Sequence, residues 1–140
     1  MNESSGERTL VELDHLRLTH LVQRLRASRD APPSLPFIEQ LLEGADVLPW
    51  QQMPPDTVTM QSRLRLKNLP GGDRNELTLC FPAAADASAG QVSVLSPLGS
   101  SLLGQRVGAT VRWVTPAGGT LAAEITDVLF QPESSGEFAL

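Results

Sequence analysis

A chain of 140 residues with 41% hydrophobic residues is long enough to fold as one domain around a core. Aromatic residues make up only 4% and tyrosine is absent, so this core is expected to consist of aliphatic side chains. The net charge of −5 argues against free nucleic acid as the main partner, because phosphate binding needs an excess of lysine and arginine.

Cys80 is the only cysteine, so an intramolecular disulfide is excluded. The first residues are polar and contain no apolar signal-peptide core. No apolar run approaches the roughly 20 residues that span a bilayer. The sequence therefore predicts a soluble, cytoplasmic protein without a membrane partner.

The first predicted element is an amphipathic helix from Leu10 to about Ser28, preceded by a frayed polar segment, residues 1–8. Thr9 and Glu12 match a capping box, in which the threonine hydroxyl accepts a hydrogen bond from an early helix amide. A helix of about 20 residues would reach on the order of 30 Å. Its apolar stripe consists of Val11, Leu18, Leu21, Val22 and Leu25, while Asp14 falls where the heptad favours an apolar residue.

A second, shorter helix is predicted after the helix-stopping pair Pro32-Pro33, with Ser34 or Leu35 near its N-cap. So short a connection favours an antiparallel hairpin of the two helices. Residues 47–56 contain three prolines and no period, so they are interpreted as a linker in which Trp50 and Met53 fill the joint. The predicted domains are therefore a helical hairpin arm, 1–47, and a sheet domain, 48–140.

The second half of the chain shows the two-residue period of β-strands. Arg63, Arg65 and Lys67 form a basic row opposite two leucines, which is either a partner-binding face or a solvated strand face that protects an edge. The last strand changes parity, which predicts a bulge near Thr126-Asp127. Strands are expected at 62–68, 77–81, 91–95, 110–115 and 121–130, with a short helical turn at 101–103.

Catalytic chemistry finds little support in the residue pattern. His15 and His20 lie five residues apart on a helix and point in different directions, so they are expected to be exposed and not metal ligands. Cys80 is expected to be a small buried hydrophobe. No catalytic, cofactor-binding or metal-binding residue is predicted.

Ser93–Gly99, followed by Leu102-Leu103-Gly104 and by Thr115–Gly119, resembles the C-terminal domain of bacterial Gre transcript-cleavage factors. Met53–Arg63 and Phe130–Glu133 are similar to a Gre-related family, the regulators of nucleoside diphosphate kinase. The resemblance implies an α+β fold with a short N-terminal antiparallel coiled coil and an FKBP-like antiparallel sheet domain. It also implies binding to RNA polymerase near its secondary channel.

In Gre factors the corner that corresponds to Leu95, Ser96 and Pro97 helps to dock the domain on a helical rim of the polymerase. The resemblance therefore implies a partner-binding site at Leu95, Ser96, Pro97, Leu98 and Gly99. Gre factors also carry two acidic residues at the tip of a longer hairpin, which help to bind the catalytic Mg²⁺ of the polymerase. Here the tip has Arg29 and a single carboxylate, Asp30, so no transcript cleavage is expected.

The residue pattern and the resemblance together predict a monomeric, non-enzymatic regulator that binds RNA polymerase, competes with or modulates Gre-type factors and needs no cofactor. DNA would be contacted only within a transcription complex, and the family name implies an indirect link to nucleoside diphosphate kinase. Two alternatives stay open. One is a weak stimulator of transcript cleavage, and the other is an interaction module that self-associates through the Val11, Leu18 and Leu25 stripe.

Overall fold

The computed structural model describes residues 8–29 and 31–135, and this part of the chain confirms the mixed α+β class. No helix among these residues is long and apolar enough to cross a membrane. The helices are α1 (Glu12–Arg26), α2 (Leu35–Gly44), α3 (Pro97–Leu102) and α4 (Pro132–Ser135). The strands are β1 (Thr9–Val11), β2 (Asp46–Leu48), β3 (Arg63–Leu69), β4 (Arg74–Cys80), β5 (Gln91–Ser93), β6 (Thr110–Val114) and β7 (Thr120–Phe130).

Five strands form one sheet in the order β5-β4-β3-β7-β6. β3 is the central strand and runs antiparallel to both neighbours, while β5 is parallel to β4. Side chains of one face are buried because alternate residues of a strand point to the same side. The buried face carries Leu64, Leu66, Leu77, Leu79, Val111, Ala123 and Ile125.

The predicted bulge in the last strand is confirmed. Arg65 lies opposite Asp127, whereas Leu66 lies opposite Ile125, so Thr126 is the extra residue. The hydroxyl of Thr126 donates to the carbonyl of Arg65 at 3.2 Å. One additional residue reverses the parity of a strand, and this is why Val128, after the bulge, packs against the core. A second register shift follows between Arg63 and Leu64, and Phe130 beyond it is 38% exposed.

The two helices form the predicted antiparallel hairpin, but α1 is shorter than expected. His15 Nε2, near the start of α1, donates to the carbonyl of Leu42, near the end of α2, at 2.8 Å. Arg26, at the end of α1, forms an ion pair with Glu39. With 15 residues, α1 is about 22 Å long, not 30 Å.

The predicted capping box is wrong because Thr9 belongs to a strand. β1 pairs in parallel with β2, with Thr9 opposite Asp46, and the N-cap of α1 is Val11, which makes no side-chain capping bond. β2 also lies inside the stretch that was interpreted as a linker. Backbone pairing of this kind leaves no side-chain period in a three-residue strand, so the sequence gives no signal of it.

The hairpin does not stand away from the sheet. Leu18 of α1 and Ile38 of α2 are fully buried and belong to the same hydrophobic cluster as Leu64 and Leu79 of the sheet. The α1 stripe is therefore used inside the chain, which leaves Leu18 no surface for self-association. The boundary after residue 47 stays a prediction; it falls within β2.

The two residues predicted to fill the joint between hairpin and sheet differ in exposure. Met53 is buried, whereas Trp50 is 39% exposed. Trp50 begins a 3₁₀ turn, Trp50–Gln52, that lies against α4. The prediction that both side chains fill the joint therefore fails for Trp50, which is partly exposed.

Candidate docking surface

The Ser-Pro corner is the first turn of α3, which begins four residues earlier than the predicted helical turn. Ser96 is the N-cap: its Oγ accepts from the amide of Gly99 at 3.0 Å and donates to the carbonyl of Ser93 at 2.7 Å. Pro97 takes the first helical position, where a missing amide proton costs nothing. One serine side chain thus fixes both the end of β5 and the start of α3.

Gly99 has a steric role in this corner. A Cβ added at this position would lie 1.9 Å from the carbonyl oxygen of Ser93. Only glycine lets β5 and the first turn of α3 approach so closely. Gly99 is buried, so its contribution to the predicted site is the shape of the backbone and not a contact surface.

The remaining corner residues differ in exposure. Pro97 is exposed, while Leu95, Ser96 and Leu98 are half-buried. Leu98 also lines an apolar groove of about 300 Å³ between α3 and the sheet, together with Trp113 of β6. The corner therefore presents a proline ring at the surface beside a shallow apolar recess.

The hairpin turn lies next to this corner. The hydroxyl of Ser34, the N-cap residue of α2, donates to the carbonyl of Leu95 at 2.6 Å and does not cap its own helix. Arg29, five residues earlier, is exposed. Asp30 lies outside the described residues. Sequence patterns favoured Ser34 as a cap and gave no signal of the contact with Leu95, since it joins positions 61 residues apart.

A buried polar junction at the other end of α1 was not predicted. Asp14 is 4% exposed, and its carboxylate accepts from the amide of Met60 at 2.9 Å. Glu133 of α4 is equally buried and accepts from the hydroxyl of Thr59 at 2.7 Å. The pKa of Asp14 is raised to about 7, mainly by burial; the charge of Glu133 adds to the shift, and the amide bond from Met60 and the charge of Arg17 oppose it. The misfit of Asp14 in the heptad was the one signal of this site.

The basic row lies on the central strand, so its predicted role in protecting a sheet edge is wrong. Arg65 donates to Glu76 of β4 at 3.0 Å and to Asp127 of β7 at 3.3 Å. Arg63 lies 3.7 Å from the same Glu76. Carboxylates on both neighbouring strands therefore neutralise much of the row. This pairing favours the interpretation as a solvated face over that as a partner-binding face.

The histidines differ from their prediction in one respect. His20 is exposed as expected, whereas His15 is half-buried and bonded to α2. Within residues 8–29 and 31–135, no group of three or more His, Cys, Asp or Glu side chains is arranged to hold a metal ion. Cys80 is buried as predicted, and burial raises the pKa of its thiol.

Comparison with known proteins identifies the family. A family model described as transcription elongation factor, GreA/GreB, C-terminal, matches residues 53–130. A regulator of nucleoside diphosphate kinase from Escherichia coli strain K12 is 35% identical over 132 residues, which cover 92% of this chain and 93% of that protein. GreA from Thermotoga petrophila is 37% identical over 81 residues, which cover 58% of this chain and 51% of GreA.

A solved structure extends the similarity to nearly the whole fold. The transcription elongation factor GreA/GreB from Nitrosomonas europaea superposes with a TM-score of 0.75 at 33% identity, covering 88% of this chain and 99% of that one. Residues 53–130, which the family model matches, are too few to make up 88% of the chain, so the superposed part also includes hairpin residues. The chain therefore belongs to the GreA/GreB family of transcription elongation factors and is a relative of the regulator of nucleoside diphosphate kinase.

Proposed function

We propose that this protein is a non-enzymatic transcription regulator that binds RNA polymerase near its secondary channel through the Ser96-Pro97 corner. The observation that carries the proposal is the construction of that corner: Ser96 caps α3, Gly99 permits the tight approach to β5, and Pro97 is exposed. A rigid turn loses little conformational entropy on binding, so it suits a docking contact. Membership of the GreA/GreB family supports RNA polymerase as the partner.

The hairpin supports regulation and not transcript cleavage. Arg24, near the end of α1, lines the same groove as Phe81 of the sheet domain, so the helix lies along the domain for most of its 15 residues. Ser34, at the end of the connection to α2, is also bonded to Leu95 beside the corner. A hairpin that is held along the sheet in this way reaches a shorter distance than a long projecting hairpin. The protein would thus occupy the Gre site without delivering a metal ligand to the polymerase.

Competition follows from this arrangement, since two proteins that use one docking surface exclude each other. An effect on nucleoside diphosphate kinase would then arise through transcription, without contact between the two proteins. The proposal includes two structural predictions from the resemblance, an FKBP-like sheet domain and coiled-coil packing of the hairpin.

A binding assay with purified core RNA polymerase tests the proposal. We expect the wild-type chain to bind and Pro97→Ala to bind about tenfold more weakly, as for a central interface residue. Pro116→Ala is the matched control, because Pro116 is also an exposed turn proline but lies between β6 and β7. Absence of wild-type binding, or equal losses in both variants, would contradict the proposal.

A cleavage assay on stalled transcription complexes tests the non-enzymatic part. The wild-type chain is expected to release no cleaved transcript and to reduce cleavage by an added Gre factor in proportion to its concentration. Cleavage that is lost in Asp30→Ala would establish the alternative, a weak cleavage stimulator.

A further inference from the structure

Arg8 is a buried cation at the place where the hairpin meets α3. Arg8 is only 7% exposed, although the sequence predicted that residues 1–8 form a frayed polar segment. Burial lowers the pKa of Arg8 to about 10, so the guanidinium is charged at neutral pH. Among residues 8–29 and 31–135, no carboxylate lies within ion-pair distance of it. A buried charge is retained only where other groups compensate it.

The groups that compensate the buried charge of Arg8 are carbonyls at the C-terminal end of α3. Nη1 of Arg8 donates to the carbonyl of Ser100 at 2.8 Å and to that of Leu103 at 3.0 Å. In a continued helix the amide of Gly104 would bond to Ser100, but it donates instead to the carbonyl of Val58 at 2.8 Å. Arg8 thus replaces the missing helical donor. Arginine at a helix C-terminus commonly satisfies the last carbonyls in this way.

The same residue is attached to the hairpin. The guanidinium lies 5.4 Å from the ring centroid of Phe37 in α2, a cation–π distance. The carbonyl of Arg8 accepts from the amide of Asp46 in β2 at 2.9 Å. A Cβ at Gly104 would lie 3.0 Å from the Cβ of Arg8, so the two segments are in close contact. Arg8 therefore links the root of the hairpin, α2 and the end of α3.

We propose that Arg8 is a positioning residue for the docking corner: it holds the C-terminal end of α3 against the hairpin, so that Ser96 and Pro97 at the other end keep a fixed orientation. α3 has six residues and is about 9 Å long, so a shift at one end moves the other. The docking part of this inference rests on the proposed function. The positioning of α3 is independent of it.

Amide hydrogen exchange on the full chain tests the positioning. In Arg8→Met, which keeps the apolar stem and removes the donors, we expect the amides of Ser100 in α3 and of Leu103, the C-cap of α3, to exchange at least about tenfold faster. Amides of β3 and β7 should keep their wild-type rates. Arg8→Lys should restore part of the protection, because an ammonium donates but lacks the fixed fork of a guanidinium. Arg63→Met, an exposed arginine on the sheet, is the control.

Two results would overturn the positioning role: wild-type exchange at Ser100 and Leu103 in Arg8→Met, or equal acceleration in α3 and the central strands, which is general destabilisation. Polymerase binding by the same variants tests the docking part, and Arg8→Met should bind about tenfold more weakly. Normal binding despite faster exchange refutes it. If even the wild-type chain fails to bind, the proposed function fails, while the exchange result still decides the role of Arg8.

Discussion

Asp14 should make the stability of this protein fall as pH rises, and the replacement Asp14→Asn tests this. The carboxyl group is buried, and its pKa is raised from an ordinary value of 3.8 to about 7. Between these values the folded state holds a proton that the unfolded state has lost. Because the folded state binds more protons there, the free energy of unfolding decreases with increasing pH.

The magnitude follows from the shift. Each pKa unit corresponds to about 1.4 kcal/mol, so a shift from 3.8 to about 7 removes about 4 kcal/mol between pH 4 and pH 8. The stabilisation that Asp14 contributes to the folded state is present in full below about pH 4 and is lost as the pH rises through about 7. A loss of this size is a large part of the 5–15 kcal/mol that is typical of a domain.

Urea denaturation at a series of pH values measures the effect. Asparagine is neutral at every pH and keeps an oxygen that accepts from the Met60 amide, so Asp14→Asn should show a flatter curve that approaches or crosses the wild-type curve near pH 7. Asp73→Asn, in the exposed turn between β3 and β4, removes a charge without a buried site. Parallel curves for wild type and Asp14→Asn would refute the reasoning.

Three further outcomes are expected. Gly99→Ala should destabilise the fold by about 1–3 kcal/mol or more, because the added Cβ meets the carbonyl of Ser93. A loss below about 0.5 kcal/mol in urea denaturation, which is typical of surface substitutions, would contradict this. Leu18→Ala should lower the free energy of unfolding by about 2–5 kcal/mol, and the helix and strand signals should unfold together in one transition. Leu16→Ala, on the exposed face of the same helix, should cost little. Two separate transitions would show that the hairpin is an independent arm. Arg65→Met should lower the stability only slightly, and less in 1 M salt, as for exposed ion pairs; a large, salt-insensitive loss in urea denaturation would contradict this.

Local patterns in the sequence were sufficient to predict those elements that neighbouring residues define. Alternation of Leu64 and Leu66 with basic residues placed β3, and the parity change after Ile125 placed the bulge. The Ser-Pro-Leu-Gly stretch was predicted to be a corner, whereas the structure shows that it starts α3, four residues before the predicted helical turn, and that Pro97 is exposed. Periodicity and turn chemistry act over a few residues, so they can be recognised without knowledge of the partner strand.

Contacts between distant positions were decided only by the tertiary structure. Arg8 and Ser100 are 92 residues apart, Asp14 and Met60 are 46 apart, and Ser34 and Leu95 are 61 apart. In each case a polar side chain serves a backbone group of another element, and no local pattern specifies which one. The sequence by itself thus determined the hairpin and the strands of the five-stranded sheet, whereas packing determined that the hairpin lies against the sheet and supports the corner. The physical reason is that a buried polar group must find a partner wherever the fold supplies one.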